Sequence, residues 1–189
     1  MFRRSLGLIT YITRQITIIL IGIFFIYVAH ADDWRIDDNE NFITLSKNGE
    51  IQHGNNIYFS FHKQNRCLFD VFFFIYTMQD IQNPLIEIYE DQNIDLIFGG
   101  SPIPALLNYS SEFALGQLVG IYVAREVPLS QQFIDMTEDM LQDNFMKMEI
   151  TGKHLQYFDM PDEQWDFTNI ETHLNKAHSR CVSQLLLSQ

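Results

Sequence analysis

The stretch CLFDVFFFIY, residues 67–76, is a near-continuous run of aromatic and β-branched side chains. A run of this kind is typical of a strand that is covered on both of its faces. Such a strand usually lies in the interior of its sheet. The stretch therefore predicts a β-rich core that is built outward from one central strand.

Strand-like segments lie on both sides of this stretch, and turn signals separate them. Before it, Asn48-Gly49 stands between the β-like runs 42–45 and 57–61. The pair Asn-Gly predicts a hairpin because both residues tolerate positive φ. After it, further β-like runs occupy 85–89, 94–98 and 118–124, and Gly99-Gly100-Ser101-Pro102 interrupts regular structure.

The pattern changes from strand to helix after Pro128. Ser130 can cap a helix that runs to about residue 143, and the chain then alternates strictly at 146–150, as a half-buried strand does. A return strand is predicted at 155–160. One face of the predicted helix carries Phe133, Met136, Met140 and Leu141 at helical spacing.

A second helix is predicted at the C-terminal end. Thr168 and Glu171 match a capping box, with Thr at the N-cap position and Glu three residues later. The helix then places one apolar stripe towards the sheet, made of Ile170, Leu174, Ala177, Cys181 and Leu185.

These segments predict a mainly β fold, an antiparallel β-sandwich-like domain with one or two helices near the C-terminus. A sandwich is favoured over a closed barrel. No internal repeat and no Pro/Gly-rich linker divides residues 32–189, which predicts a single β-rich domain.

The first 31 residues have the organisation of a cleavable export signal. Three arginines are the only charges there, and an uncharged apolar run occupies 16–29. Ala29-His30-Ala31 then supplies the small residues of an A-x-A cleavage site. The alternative is an uncleaved anchor, but the run is shorter than the about 20 apolar residues of a spanning helix. We therefore expect a periplasmic or secreted protein that meets the membrane only before cleavage.

Cys67 and Cys181 are the only cysteines of the chain. In an oxidising compartment two thiols of one small domain usually pair, so a structural disulfide is predicted. Neither cysteine belongs to a C-x-x-C pair, which argues against a redox enzyme. Free or intermolecular thiols are the alternative.

The chain is strongly acidic. Residues 32–189 keep nine of the 12 basic residues and all 24 acidic ones, a net charge of −15. Nucleic acids and anionic lipids bind through Lys and Arg, so this charge argues against both as partners. It would attract a basic protein partner, although simple solubility also accounts for it.

No catalytic or metal-binding motif is convincing. Ser60 and Lys63 match the S-x-x-K pattern of penicillin-interacting enzymes, but they lie in a β-like run where that chemistry needs a helix. His173 and His178 are five residues apart, so a helix points them away from each other. The sequence therefore predicts no catalytic residue, no metal and no cofactor.

An acidic cluster surrounds Pro161. Its predicted place is a polar turn before the last helix, where negative charge stabilises the helix N-terminus. A contact for a basic partner is the alternative, and an exposed Trp beside it would suit that role. Packing under the turn is the favoured placement of this Trp. The residues of this candidate partner contact are Asp159, Asp162, Glu163, Trp165 and Asp166.

One overall pattern resembles known families. An early Trp34, a mid-chain Cys67 in a strand, the strands 146–150 and 155–160, and a terminal helix with Cys181 follow a signal peptide. This order resembles the small periplasmic proteins of the invasion-associated locus B type, and the periplasmic accessory proteins of type VI secretion. The chain departs from their F-x-L-x-G ending at 158–161, where the Gly is missing. The resemblance implies a non-enzymatic sandwich with a structural disulfide, and it carries over no catalytic residue.

The sequence thus favours an exported, non-enzymatic accessory or binding protein of the cell envelope or of a secretion system. Its partner would be a protein. The alternative is an inhibitor or immunity protein that neutralises a basic enzyme, such as a lysozyme or a toxin. A small hydrolase whose site is assembled from distant residues is a third hypothesis.

Overall fold

The computed structural model describes residues 34–52, 54–78, 92–113 and 116–187. All of them belong to one compact unit, Trp34–Gln189. The predicted export signal with its site at Ala29 and Ala31, and the predicted strand 85–89, lie outside the described residues.

The described residues form nine strands: β1 (Arg35–Asp38), β2 (Phe42–Asn48), β3 (Asn56–His62), β4 (Phe69–Thr77), β5 (Gln92–Phe98), β6 (Ser101–Phe113), β7 (Gly116–Val127), β8 (Phe145–Ile150) and β9 (Asp162–Asp166). They make one antiparallel sheet in the spatial order β1-β2-β3-β4-β7-β6-β5-β8-β9. The prediction of a mainly β fold is confirmed. The sandwich is not confirmed, because the strands form a single curled sheet, a half-barrel.

Strand β4 lies in the interior of the sheet between β3 and β7, as its composition predicts. Its inward side chains, among them Phe69 and Phe73, are fully buried. On the outer face Phe72 is half-buried, since its ring stacks on Tyr58 and packs against Tyr122 of the neighbouring strands. The second face of β4 is therefore covered by other aromatic rings of the same sheet, which explains the unbroken apolar run.

The described residues also form two α-helices, α1 (Gln131–Asp139) and α2 (Ile170–Leu187), and a 3₁₀ helix, Gly152–Tyr157. None of these helices is long and apolar enough to cross a lipid bilayer. The N-cap prediction for α1 is confirmed, because Ser130 Oγ accepts a hydrogen bond from the N–H of Phe133 at 3.2 Å. The helix ends at Asp139, four residues before the predicted end.

The predicted capping box of α2 is wrong. The helix begins at Ile170, and Asn169 before it has a φ of 60°. Thr168 stands one residue further back, and its N–H donates to Asp166 Oδ1 at 2.8 Å. The predicted apolar stripe is confirmed for Ile170, Leu174, Ala177 and Cys181, which are buried, whereas its last member, Leu185, is half-buried. With this stripe α2 packs on β2 and β3.

Cys67 and Cys181 form a disulfide, with 6.0 Å between their Cα atoms. Both sulfurs are buried. The bond joins α2 to the turn that precedes β4, so the last helix is covalently tied to the central strand. A disulfide is compatible with an oxidising, exported location.

The return strand predicted at 155–160 is wrong. The 3₁₀ helix occupies residues 155–157 of that stretch, and the pairing with β8 begins only at Asp162. Pro161 explains the delay, because a proline has no N–H to donate to a strand ladder. Its carbonyl instead accepts the N–H of Ile150 at 2.9 Å.

Candidate ligand-binding cavity

The connection between β7 and β8 carries α1 across the concave face of the sheet. Strand β8 pairs with β5, and β6 and β5 stand between it and β7. The chain must therefore pass over β6 and β5 between Val127 and Phe145. Helix α1 lies in that connection, and a cavity remains between the helix and the sheet.

The cavity has a volume of about 400 Å³, and apolar side chains line nearly all of it. Ligand pockets of proteins typically have about 300–1,000 Å³ and a mostly apolar lining. Among the described residues that line it, only Ser101 and Thr137 are polar. The hydroxyl of Thr137 donates to the carbonyl of Phe133 at 2.8 Å, so its proton is already used within the helix. The walls suit an apolar guest.

A β-bulge shapes one wall of the cavity. Val71 of β4 pairs with Ala124 and Phe72 pairs with Tyr122, so Val123 is an extra residue on β7. A bulge redirects side chains that strict alternation would send to opposite faces. Val123 and Ala124 consequently both line the cavity, together with Val71. The sequence predicts a strand at 118–124, but no local signal in it marks the bulge.

The opposite wall is α1, which is only lightly anchored. Of its nine residues only Ile134 and Thr137 are buried, whereas Met136 is 50% exposed at the cavity. The predicted buried face was therefore only partly right. Met140 packs against Gly99, where an added Cβ would come within 2.5 Å of Met140 Cβ. Few buried side chains mean a low free energy for local opening.

Methionines contribute much of the remaining lining. Met136 of α1, Met140 directly after that helix and Met146 of β8 all line the cavity. Methionine is unbranched and polarizable, so it adapts to guests of different shape. The sequence pattern had marked Met136 and Met140 as ordinary core residues of a helix, because spacing alone does not distinguish a packed core from a cavity wall.

The acidic cluster does not form the exposed patch that a partner contact would need. Glu163 and Trp165 are buried, with 1% and 0% exposure. Both lie on strand β9, and Trp165 stacks on Phe73 at 5.1 Å between ring centroids. The packed position under the turn, which the sequence interpretation favours for this tryptophan, is the one the structure has. These two residues are therefore removed from the candidate partner contact.

The other members of the cluster have separate roles. Asp159 Oδ1 accepts a hydrogen bond from Thr77 Oγ1 at 2.7 Å. Asp166 is half-buried, and its carboxylate contacts Lys47 Nζ and accepts the N–H of Thr168. The pKa of Asp166 is lowered although burial opposes this, because Thr168 and Lys47 stabilise its charge. Asp162 is exposed. The hypothesis of a basic partner thus retains exposed carboxylates at Asp159 and Asp162 only.

A histidine–carboxylate pair lies on the outer face of the sheet, away from the cavity. His62 Nε2 is 3.0 Å from Asp70 Oδ2, and Asp70 Oδ1 accepts the N–H of Glu126 at 2.7 Å. Both side chains lie on the face opposite to Phe59 and Val71, which line the cavity. The pair therefore holds β3, β4 and the end of β7 together and does not contribute to the cavity.

The serine of the S-x-x-K pattern lies on a strand, as the sequence predicts, and not at the start of a helix. Ser60 lies on strand β3, and Lys63 lies in the turn after it, where its Nζ donates to Asp38 Oδ1 at 2.8 Å.

In the described part of the chain, no three His, Cys, Asp or Glu side chains are grouped closely enough to hold a metal ion.

No protein-family model, no curated protein and no solved structure matches this chain. The resemblance to periplasmic accessory proteins therefore stays a prediction.

Proposed function

We propose that this chain is an exported, non-enzymatic binding protein of the cell envelope that holds an apolar ligand between α1 and the concave face of its sheet. The observation that carries the proposal is the cavity of about 400 Å³ with almost no polar lining. Apolar surface that stays in contact with water is unfavourable, so a guest of matching size would be bound by the hydrophobic effect.

A binding role is favoured over catalysis by the chemistry of the walls. Acid–base and nucleophilic catalysis require ionisable or hydroxyl groups that converge on one point. The described residues of the lining contribute two hydroxyls, Ser101 and Thr137, and no ionisable side chain. The disulfide supports export, because such bonds persist in oxidising compartments.

Fluorescence titration tests the binding role. Phenylnaphthylamine is a neutral probe whose emission rises in apolar surroundings, and we expect saturable binding to the oxidised protein. Ala124→Trp fills the cavity from the β7 wall and should abolish the signal. Gln132→Trp adds the same ring to an exposed position of α1 and should leave binding unchanged. Equal titration curves for the two variants would contradict the proposal.

Export is tested separately by mass spectrometry of the protein recovered from outside the cytoplasm. We expect an N-terminus at residue 32 and a mass two hydrogens lower before reduction than after it. A full-length chain with two free thiols would refute an exported protein, whatever its cavity binds.

A further inference from the structure

We infer that the ligand of this cavity carries no anionic group, so that the site accepts neutral or cationic amphiphiles and excludes carboxylate and phosphate head groups. The inference rests on the proposed function and adds the class of ligand to it. Three features of the described residues support it: the lining, the surface of α1 and the position of the basic side chains.

Among the described residues, the lining offers no cationic group to balance a negative charge, and Ser101 and Thr137 supply its only hydroxyls. Lys, Arg and His are missing among the described residues of the cavity walls. The one hydroxyl of α1 that faces the cavity, that of Thr137, already donates to Phe133 O. Burial of an anion without a counter-charge or hydrogen-bond donors is strongly unfavourable, whereas an alkyl or aromatic body gains by it.

The outer surface of α1 is also unfavourable for an anion. Asp135, Glu138 and Asp139 are exposed there, and the helix contains no basic residue. A negative head group that projected from the cavity beside α1 would therefore meet like charges. The net charge of −15 for residues 32–189 adds to this repulsion at low ionic strength.

Two basic side chains of the domain, Arg125 and Lys47, make contacts away from the cavity lining. The guanidinium of Arg125 lies over the ring of Tyr122, 5.1 Å from its centroid, on the outer face of the sheet. The buried Lys47 has its Nζ 3.7 Å from Asp166 Oδ2 and 5.8 Å from the ring centroid of Trp34. Neither lines the cavity, so a ligand carboxylate or phosphate inside it has no cationic side chain of the lining beside it.

Competition at constant tail length tests the inference. Decanol, decyltrimethylammonium and decanoate share one alkyl tail and differ in the charge of the head group at neutral pH. Each is titrated at low ionic strength against phenylnaphthylamine that is bound to the oxidised protein, expressed from the whole sequence. We expect decanol and decyltrimethylammonium to displace the probe, and decanoate to do so at least about tenfold more weakly.

A charge placed in the wall provides the matched variant. Val123 is a half-buried residue of the lining, so Val123→Lys places a cation at the cavity and should improve displacement of the probe by decanoate. Val123→Met adds a long side chain without charge and should not improve it. Decanoate that competes as well as decanol on the unmodified protein overturns the inference and leaves the proposed function standing. A protein that binds neither the probe nor any of the three tails overturns both.

Discussion

The side-chain carboxylate of Glu163 lies 2.8 Å from Nδ2 of Asn55, a residue 108 positions earlier in the chain. The same carboxylate accepts the N–H groups of Ile51 and Gln52, at 2.7 and 3.0 Å. Asn55 in turn accepts the N–H of Tyr76 at 2.7 Å through its Oδ1. One buried carboxylate on β9 thus organises the connection between β2 and β3, and through Asn55 it reaches β4.

This contact explains why the hairpin at Asn48-Gly49 differs from its sequence signal. Strands β2 and β3 pair as the predicted hairpin requires, but Asn48 pairs with Asn56 inside the ladder, and the connection begins after it. Gly49 is required for close approach, since an added Cβ would lie 2.4 Å from Glu163 Cδ. The long connection is therefore shaped by a side chain from the far end of the domain.

Glu163→Gln should destabilise the fold strongly. Each carboxylate oxygen accepts two N–H groups, and an amide leaves two of these donors without an acceptor in either orientation. Because at least one of the two donors is only part-buried, we expect a loss of about 1–3 kcal/mol of unfolding free energy. Asp162→Asn removes the same charge at the exposed neighbour and should change stability by less than about 0.5 kcal/mol. Urea denaturation gives the unfolding midpoint of both variants, and equal midpoints would contradict this role of Glu163.

Removal of the disulfide should lower stability by several kcal/mol. The bond closes a loop with a sequence separation of 114, for which the chain-entropy model gives about 4–5 kcal/mol. The double variant Cys67→Ala and Cys181→Ala avoids a buried hydroxyl at either site. Its denaturation midpoint should match that of the reduced unmodified protein and lie well below that of the oxidised one. An oxidised protein no more stable than the double variant would show that the bond does not restrain the unfolded chain.

Acidification between about pH 7 and pH 5 should weaken the fold through two histidines. Burial lowers the pKa of His154 and of His178 below the ordinary 6.5. His154 Nδ1 also accepts the N–H of Asp95 at 3.4 Å, a bond that only the neutral ring can accept. The unfolded chain therefore binds protons first as pH falls, so stability is full above about pH 6.5 and declines below it.

Titration of the ring protons by nuclear magnetic resonance gives both histidine pKa values directly. The pair of substitutions His154→Gln and His178→Gln should flatten the dependence of unfolding free energy on pH in this window. An unchanged slope, or ring pKa values above 6.5, would contradict burial as the cause.

Ser130→Ala should loosen α1 without unfolding the sheet. The serine hydroxyl accepts the N–H of Phe133, and loss of an N-cap of this kind costs a helix about 0.5–2 kcal/mol. Amide hydrogen exchange should accelerate in α1 and stay unchanged in β4, because few side chains of α1 are buried. Equal acceleration in both elements would mean that the helix and the sheet unfold as one unit.

Local patterns in the sequence were sufficient for much of the fold. The run 67–76 predicted an interior strand, alternation predicted β8, and helical spacing predicted the buried stripe of α2. Two cysteines allow only one intramolecular pairing, so the bond between Cys67 and Cys181 could also be predicted. These features depend on periodicity, which reports which side chains share a face.

Periodicity does not report what covers that face, and only the tertiary structure decided it. The sequence could not tell a sandwich from one curled sheet, since both bury alternate residues of the same strands. It placed the carboxylate of Glu163 in a solvated turn, because the burial of this side chain depends on the β2–β3 connection, which is distant in the chain. The cavity has the same origin: its walls come from strands, a bulge and a helix that meet only when the sheet curls beneath α1.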